Sequence, residues 1–301
     1  MSHFKHVRSF LSLAAVLLPP FLSLPVQALE LVHSEKSLYR QVLVYEESGL
    51  RYLCFTRQCT IGRQSVIDLA HPERLVFDYA HMMLGSLYAM PAPQSVLIIG
   101  LGGGTLPKAL VSILPSTHID VVEIDPAVTR VARSYFSFVP GAGISVFEED
   151  GRAYVKRALR AAKSYDLVML DAYDHEYIPE HLLTREFLQE VKSLLKPNGI
   201  VAANTFSSSK LYDSESVTYR AVFGEFYNLK MANRIIIASN GALPSPATLQ
   251  QNSATFSSAF ARMGVNAEEV RSRFSLQPDW NPSARVLTDQ YSPANLLNSK
   301  R

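Results

Sequence analysis

Short apolar runs alternate with amphipathic stretches through the middle of the chain. The runs are Ser95–Gly100, His118–Ile124, Ile144–Phe147, Asp166–Asp171 and Ile200–Phe206, and the stretches between them (Thr105–Leu114, Pro126–Phe138, Arg152–Lys163, Thr184–Leu195) place apolar residues at helical spacing. Runs of that length predict strands. Their regular alternation with helices predicts a parallel sheet wrapped by helices. Lys196-Pro197-Asn198-Gly199 reads as a helix stop followed by a strand start, and Tyr227–Met231 with Arg234–Ala238 reads as an antiparallel pair that closes the sheet at seven strands.

The flanks have a different rhythm. Two β-rich runs between Leu38 and Cys59 surround Glu46-Glu47-Ser48-Gly49 and predict a hairpin. His71-Pro72-Glu73 predicts the start of a helix whose apolar face is Leu75, Val76, Tyr79, Met82, Met83 and Leu87, ended by Pro91 and Pro93. The segment Asn240–Ser275 is rich in Ser, Ala and Gln and partly helical. At the other end, Lys5 and Arg8 precede an apolar run from Phe10 to Leu24, and Val26-Gln27-Ala28 follows with small residues in the positions a signal peptidase reads. With Pro19 and Pro20 inside it, that run falls short of the ~20 residues a membrane span needs. The predicted division is therefore a signal peptide over 1–28, a β-hairpin domain over 29–70, a Rossmann-like domain over 71–240 and a helical extension with a tail over 241–301. Export to the periplasm follows, with a membrane anchor as the uncleaved alternative.

Composition narrows the class. At 48% hydrophobic and 19% charged residues, the 301-residue chain is too apolar for disorder and, past its leader, too polar for a membrane bundle. Its formal charge of +2 offers no field for a nucleic acid. The excess belongs to the leader, which carries Lys5 and Arg8 and no acid. Cys54 and Cys59 fit a local disulfide in an export context, and equally two unpaired strand residues. No His or Cys spacing predicts a metal site.

The chemistry gathers at strand ends. Gly100-Leu101-Gly102-Gly103-Gly104-Thr105 follows the first core strand, at the turn where doubly wound sheets bind nucleosides, and its spacing is not the dinucleotide pattern. A purely structural turn is the alternative. About 20 residues on, Glu123 ends the next strand, placed to accept both ribose hydroxyls, while Asp125 before Pro126 reads as a helix N-cap. Asp150-Gly151 ends the third strand, where it could bond an adenine amino group and cap the next helix. Asp171 and Asp174 end the fourth, and paired acids there suit anchoring a cationic amine and taking its proton. His175 and His181 read as loop residues beside them, and Trp280 as a packing residue.

In this order, the glycine turn, Glu123, Asp150-Gly151 and Asp171-x-x-Asp174 resemble the spermidine synthase family, aminopropyltransferases on the class I methyltransferase fold. Tyr79-Ala80-His81 is similar to that family's Tyr-His-Glu segment, and Gln64 to its preceding glutamine. Leu287-Thr288-Asp289-Gln290-Tyr291-Ser292-Pro293 and Ile178-Pro179-Glu180-His181-Leu182 resemble its spermidine synthase-like branch. The resemblance implies decarboxylated S-adenosylmethionine or S-adenosylmethionine as co-substrate, held by Gln64, Gly100, Gly102, Gly104, Glu123, Asp150 and Gly151. It also implies Asp171 as base, Asp174 and Tyr79 as amine holders, no metal, and a homodimer through the N-terminal hairpins. The chain departs from the family at Gly103, where an aspartate is usual, at Ala80 and His81, and at Arg40, where glutamine is usual. An arginine near the amine pocket would favour a carboxylate over a second ammonium. The alternatives are an S-adenosylmethionine-dependent methyltransferase and a non-catalytic nucleoside or polyamine binder.

Overall fold

The computed structural model describes residues 29–60, 62–172 and 179–293. The expected leader and Asp174 and His175 lie outside the described residues. Among the described residues no helix is long and apolar enough to cross a membrane.

The central sheet has seven strands in the order β10-β11-β9-β8-β5-β6-β7. β5 (Ser95–Ile99), β6 (His118–Glu123), β7 (Ile144–Glu148), β8 (Tyr165–Leu170) and β9 (Leu195–Phe206) run parallel, and β10 (Phe226–Lys230) and β11 (Asn233–Ser239) close the sheet as the expected antiparallel pair. α3 (Thr105–Ile113), α4 (Pro126–Tyr135), α5 (Gly151–Arg160), α6 (Arg185–Leu194) and α7 (Tyr212–Phe223) connect or flank the strands. Alternate residues of β5 explain why it reads as a continuous apolar run: Val96 and Ile98 enter one core, Leu97 and Ile99 the other. Asp125 caps α4 by accepting from the Ala127 N–H, as its place before Pro126 predicts.

Two expectations need correction, and one is extended. The expected hairpin is present as β2 (Gln41–Glu47) and β3 (Leu50–Cys54), and the region adds β1 (Glu30–Lys36) and β4 (Arg63–Asp68) to make a four-stranded antiparallel sheet. β1 is an edge strand with mostly exposed side chains, so it carries no apolar run to read. The helix expected from His71 starts instead at Asp78, as α1 (Asp78–Leu84) continued by α2 (Ser86–Ala89). Asp68 Oδ1 accepts from the N–H groups of Ala70 and His71, and the Leu75 N–H donates to the Met263 carbonyl, so this stretch of backbone is bonded outside a helix. Lys196–Gly199 lies within β9 as a bulge: Leu195 pairs with Tyr165, pairing resumes at Ile200 opposite Leu167, and Asn198 takes a φ of 60°.

The small sheet packs Val42, Val44, Leu53 and Ile67 against Ala127, Val128 and Val131 of α4. Ser37 Oγ donates to Asp125 Oδ2 at 2.6 Å, which seats the β1–β2 turn at the carboxyl end of β6. Cys54 and Cys59 form a disulfide across the start of the β3–β4 loop. α8 (Pro246–Arg262) and α9 (Ala267–Ser272) complete the core beside α2, and Trp280 stacks on Phe226 at 4.9 Å, a packing residue as expected.

Candidate active site

The carboxyl ends of the five parallel strands open into a cleft of about 730 Å³, walled on its far side by Tyr39, Arg40, Phe55 and Gln64 of the N-terminal sheet and by Tyr79 of α1. A cleft at this edge is where an open α/β sheet binds its ligand. Gly100, Gly102, Glu123, Asp150, Gly151 and Asp171 line it, so most of the residues singled out from the sequence come together. Gly104 does not. It caps α3 at a φ of 74° with its Cα against Phe138, so its role is structural.

Protein neighbours crowd three of the four glycines of the turn closely. At Gly100 (φ 101°) an added Cβ would lie 2.2 Å from the Asp171 carbonyl oxygen, so this glycine lets the ends of β5 and β8 come together. At Gly103 it would meet Phe136 Cδ1 and Ser65 Cβ, both at 3.0 Å, and the Gly103 N–H donates to Ser65 Oγ at 2.8 Å. A side chain at this position would press on Phe136 and Ser65.

Glu123 is fixed by the turn it faces. Its Oε2 accepts from the Leu101 N–H and its Oε1 from the Asp125 N–H, each at 3.0 Å. Burial pushes its carboxyl up, while these two bonds and the charge of Arg40 pull it back. Arg40 stacks over Phe55 with its guanidinium carbon 4.4 Å from the ring centroid. It lines the same cleft as Glu123.

Asp171 is the chemically tuned group. Its Oδ1 accepts from Asn204 Nδ2 at 2.8 Å, and Tyr79 lines the cleft beside it. Burial pushes its carboxyl up to about 7; Asn204 and Tyr79 oppose that rise and the charge of Glu123 adds to it. Burial and the Asp171 charge raise the Tyr79 hydroxyl well above its ordinary range, so Tyr79 stays a donor. Asp150 caps α5 through Oδ1, which accepts from the Ala153 N–H at 2.9 Å, and its Oδ2 lies 2.8 Å from His181 Nε2. Gln64 donates to the Gly62 carbonyl at 2.8 Å with its side chain at the cleft wall. His81 turns away and bonds the Leu75 carbonyl. Among the described residues no group of His, Cys, Asp and Glu is placed to hold a metal ion.

A sequence model of the spermine/spermidine synthase domain matches residues 77–233. The polyamine aminopropyltransferase of Vibrio vulnificus is 44% identical over 292 residues, covering 95% of this chain and 96% of that one. The chain belongs to the spermine/spermidine synthase family. A probable spermidine synthase from Corynebacterium glutamicum shares the fold with a TM-score of 0.63 over 84% of this chain and 97% of its own, at 18% identity. The human eEF1A lysine and N-terminal methyltransferase is 33% identical over 145 residues, which are 45% of this chain and 21% of that protein. Family membership thus agrees with the seven-stranded, mostly parallel sheet.

Sequence reasoning missed Asn204, Ser65 and Phe55. Asn204 had a signal: with Thr205 it is a polar pair in an otherwise apolar strand, and a polar side chain in such a strand needs a partner. Ser65 and Phe55 lie on the N-terminal sheet, and only the docking of that sheet brings them to the cleft.

Proposed function

We propose that the protein is an aminopropyltransferase that moves the aminopropyl group of decarboxylated S-adenosylmethionine to an amine. The observation that carries this reading is the placement of the Asp171 carboxylate, bonded by Asn204 and sharing one cleft with Tyr79, Glu123 and the glycine turn; burial pushes it up to about 7. A carboxyl tuned to the working pH is suited to remove a proton from an ammonium. The neutral amine then attacks the methylene next to the sulfonium; the N–C bond forms as the C–S bond breaks, and methylthioadenosine leaves. Glu123 would accept the ribose hydroxyls, Asp150-Gly151 the adenine amino group, and Tyr79 and Asp174 would hold the amine. Alignment of the two reactants supplies most of the rate, an effect worth up to roughly 7–11 kcal/mol. Incubation with radiolabelled donor and a panel of polyamines tests it, and methylthioadenosine is the expected product.

A second reading, methyl transfer from S-adenosylmethionine, is favoured by one observation: a side chain at Gly103, the position of the family acid, would press on Phe136 and Ser65. S-adenosylhomocysteine as the product would decide for it.

Export is part of the proposal, carried by the pattern of residues 1–28. Amino-terminal sequencing of the protein recovered from periplasm should begin at Leu29. A homodimer through the N-terminal sheet is supported by the exposed Leu31 and Val32 on edge strand β1, and light scattering on the purified chain tests it.

A further inference from the structure

The proposed chemistry leaves His181 without a role, although its backbone is fixed from several directions. Ser292 Oγ donates to the Glu180 carbonyl at 3.1 Å, Arg152 Nη1 donates to the His181 carbonyl at 3.3 Å, and Leu182 and Leu183 are buried. Arg152 is itself held by Glu190 and Asp289, two bonds to each. From this anchored turn the imidazole reaches the cleft and brings Nε2 within 2.8 Å of Asp150 Oδ2, while Asp150 Oδ1 caps α5. Both carboxylate oxygens are thus oriented by protein donors. Each keeps a further lone pair for a ligand.

We infer that His181 is the positioning residue for the purine end of the donor: by donating to Asp150 it fixes that carboxylate as an acceptor, so that the site takes a 6-aminopurine and rejects a 6-oxopurine. The inference rests on the adenosyl reading above and adds a residue to it. An ionised carboxylate offers only acceptors, so an exocyclic amine is matched and a carbonyl at the same position sets acceptor against acceptor. Such a mismatch discriminates more strongly than a missing methylene, because the polar groups of the site are left unpaired. The contact with His181 is also the main cause that holds the Asp150 carboxyl below its usual range, which keeps it free of a proton of its own.

The test is calorimetry of the full chain with methylthioadenosine and its 6-oxo counterpart methylthioinosine, on the wild type, His181→Ala and His181→Gln. The wild type should prefer methylthioadenosine. His181→Ala should weaken that binding roughly tenfold while leaving methylthioinosine nearly unchanged, the loss expected for one hydrogen bond to a charged group. His181→Gln keeps an N–H donor and should restore most of the preference. An unchanged preference in His181→Ala, or an equal loss for both compounds that glutamine does not restore, overturns the role of His181. A wild type that binds neither compound overturns the adenosyl reading instead.

Discussion

Asn204 at the end of β9 donates to Asp171 at the end of β8, across two neighbouring parallel strands. The bond restrains a carboxyl that burial and Glu123 drive upward. Removing the donor should raise Asp171 further. Asn204→Ala is therefore expected to shift the acidic limb of the kcat/KM profile from near 7 to higher pH, measured with saturating co-substrate. A limb left in place would separate Asn204 from the base.

Asp171→Asn should lower kcat by roughly 10²–10⁴-fold while leaving binding of methylthioadenosine within a few-fold. The same substitution should stabilise the fold. An unfolded Asp titrates near 3.9, so between there and about 7 the folded chain holds a proton that the unfolded chain has lost. Stability falls as pH rises through that window. The variant should melt at least ~2 °C above the wild type at pH 8, with the difference closing toward pH 4. Equal melting at pH 8 would contradict the raised carboxyl.

Restoring the family acid should fail. Gly103→Asp forces a side chain against Phe136 and Ser65, both within 3.0 Å of its Cβ, and overpacking of that kind costs about 1–3 kcal/mol. Urea midpoints should drop, and affinity for decarboxylated S-adenosylmethionine should not rise.

The disulfide between Cys54 and Cys59 closes a short loop, worth about 2 kcal/mol in the chain-entropy description. That loop carries Phe55, the ring under Arg40, and is followed directly by Thr60, which lines the cleft. Reduction should lower the melting temperature and weaken donor binding together. Thiol titration of the unreduced, denatured chain should find no free cysteine.

Asp289→Asn removes one of the two carboxylates on Arg152 and should cost about 1 kcal/mol, a figure reduced by the exposure of Asp289. Arg152 holds the Asp289 carboxyl below its usual range, so its contribution is present above the unfolded value near 3.9 and is lost as pH falls below it. The wild type and the variant should therefore converge in denaturant midpoint as pH falls below the ordinary carboxylate range.

What the sequence made legible followed from local chemistry. Five apolar runs located the parallel strands, Asp-Pro located the cap of α4, and strand-end acids located the floor of the cleft, because each depends on neighbours close in the chain. The features that stayed hidden are set by distant partners. β1 is a strand only because it pairs with β2, residues 71–77 avoid a helix because Asp68 and Met263 take their N–H groups, and Gly103 is crowded by Phe136 and Ser65. No spacing rule connects position 103 with position 65.

The bond from Arg152 to Asp289, and that from Ser292 to Glu180, set an order of assembly. The turn at Glu180–Leu182 is finished by residues that leave the ribosome after every strand of the sheet. A nascent chain can form the whole sheet and still lack the clasp over Glu180–Leu182, so ligand-competent protein should appear only after synthesis of the tail. Trimming a few residues before Leu287 should leave a folded sheet with an unlatched site.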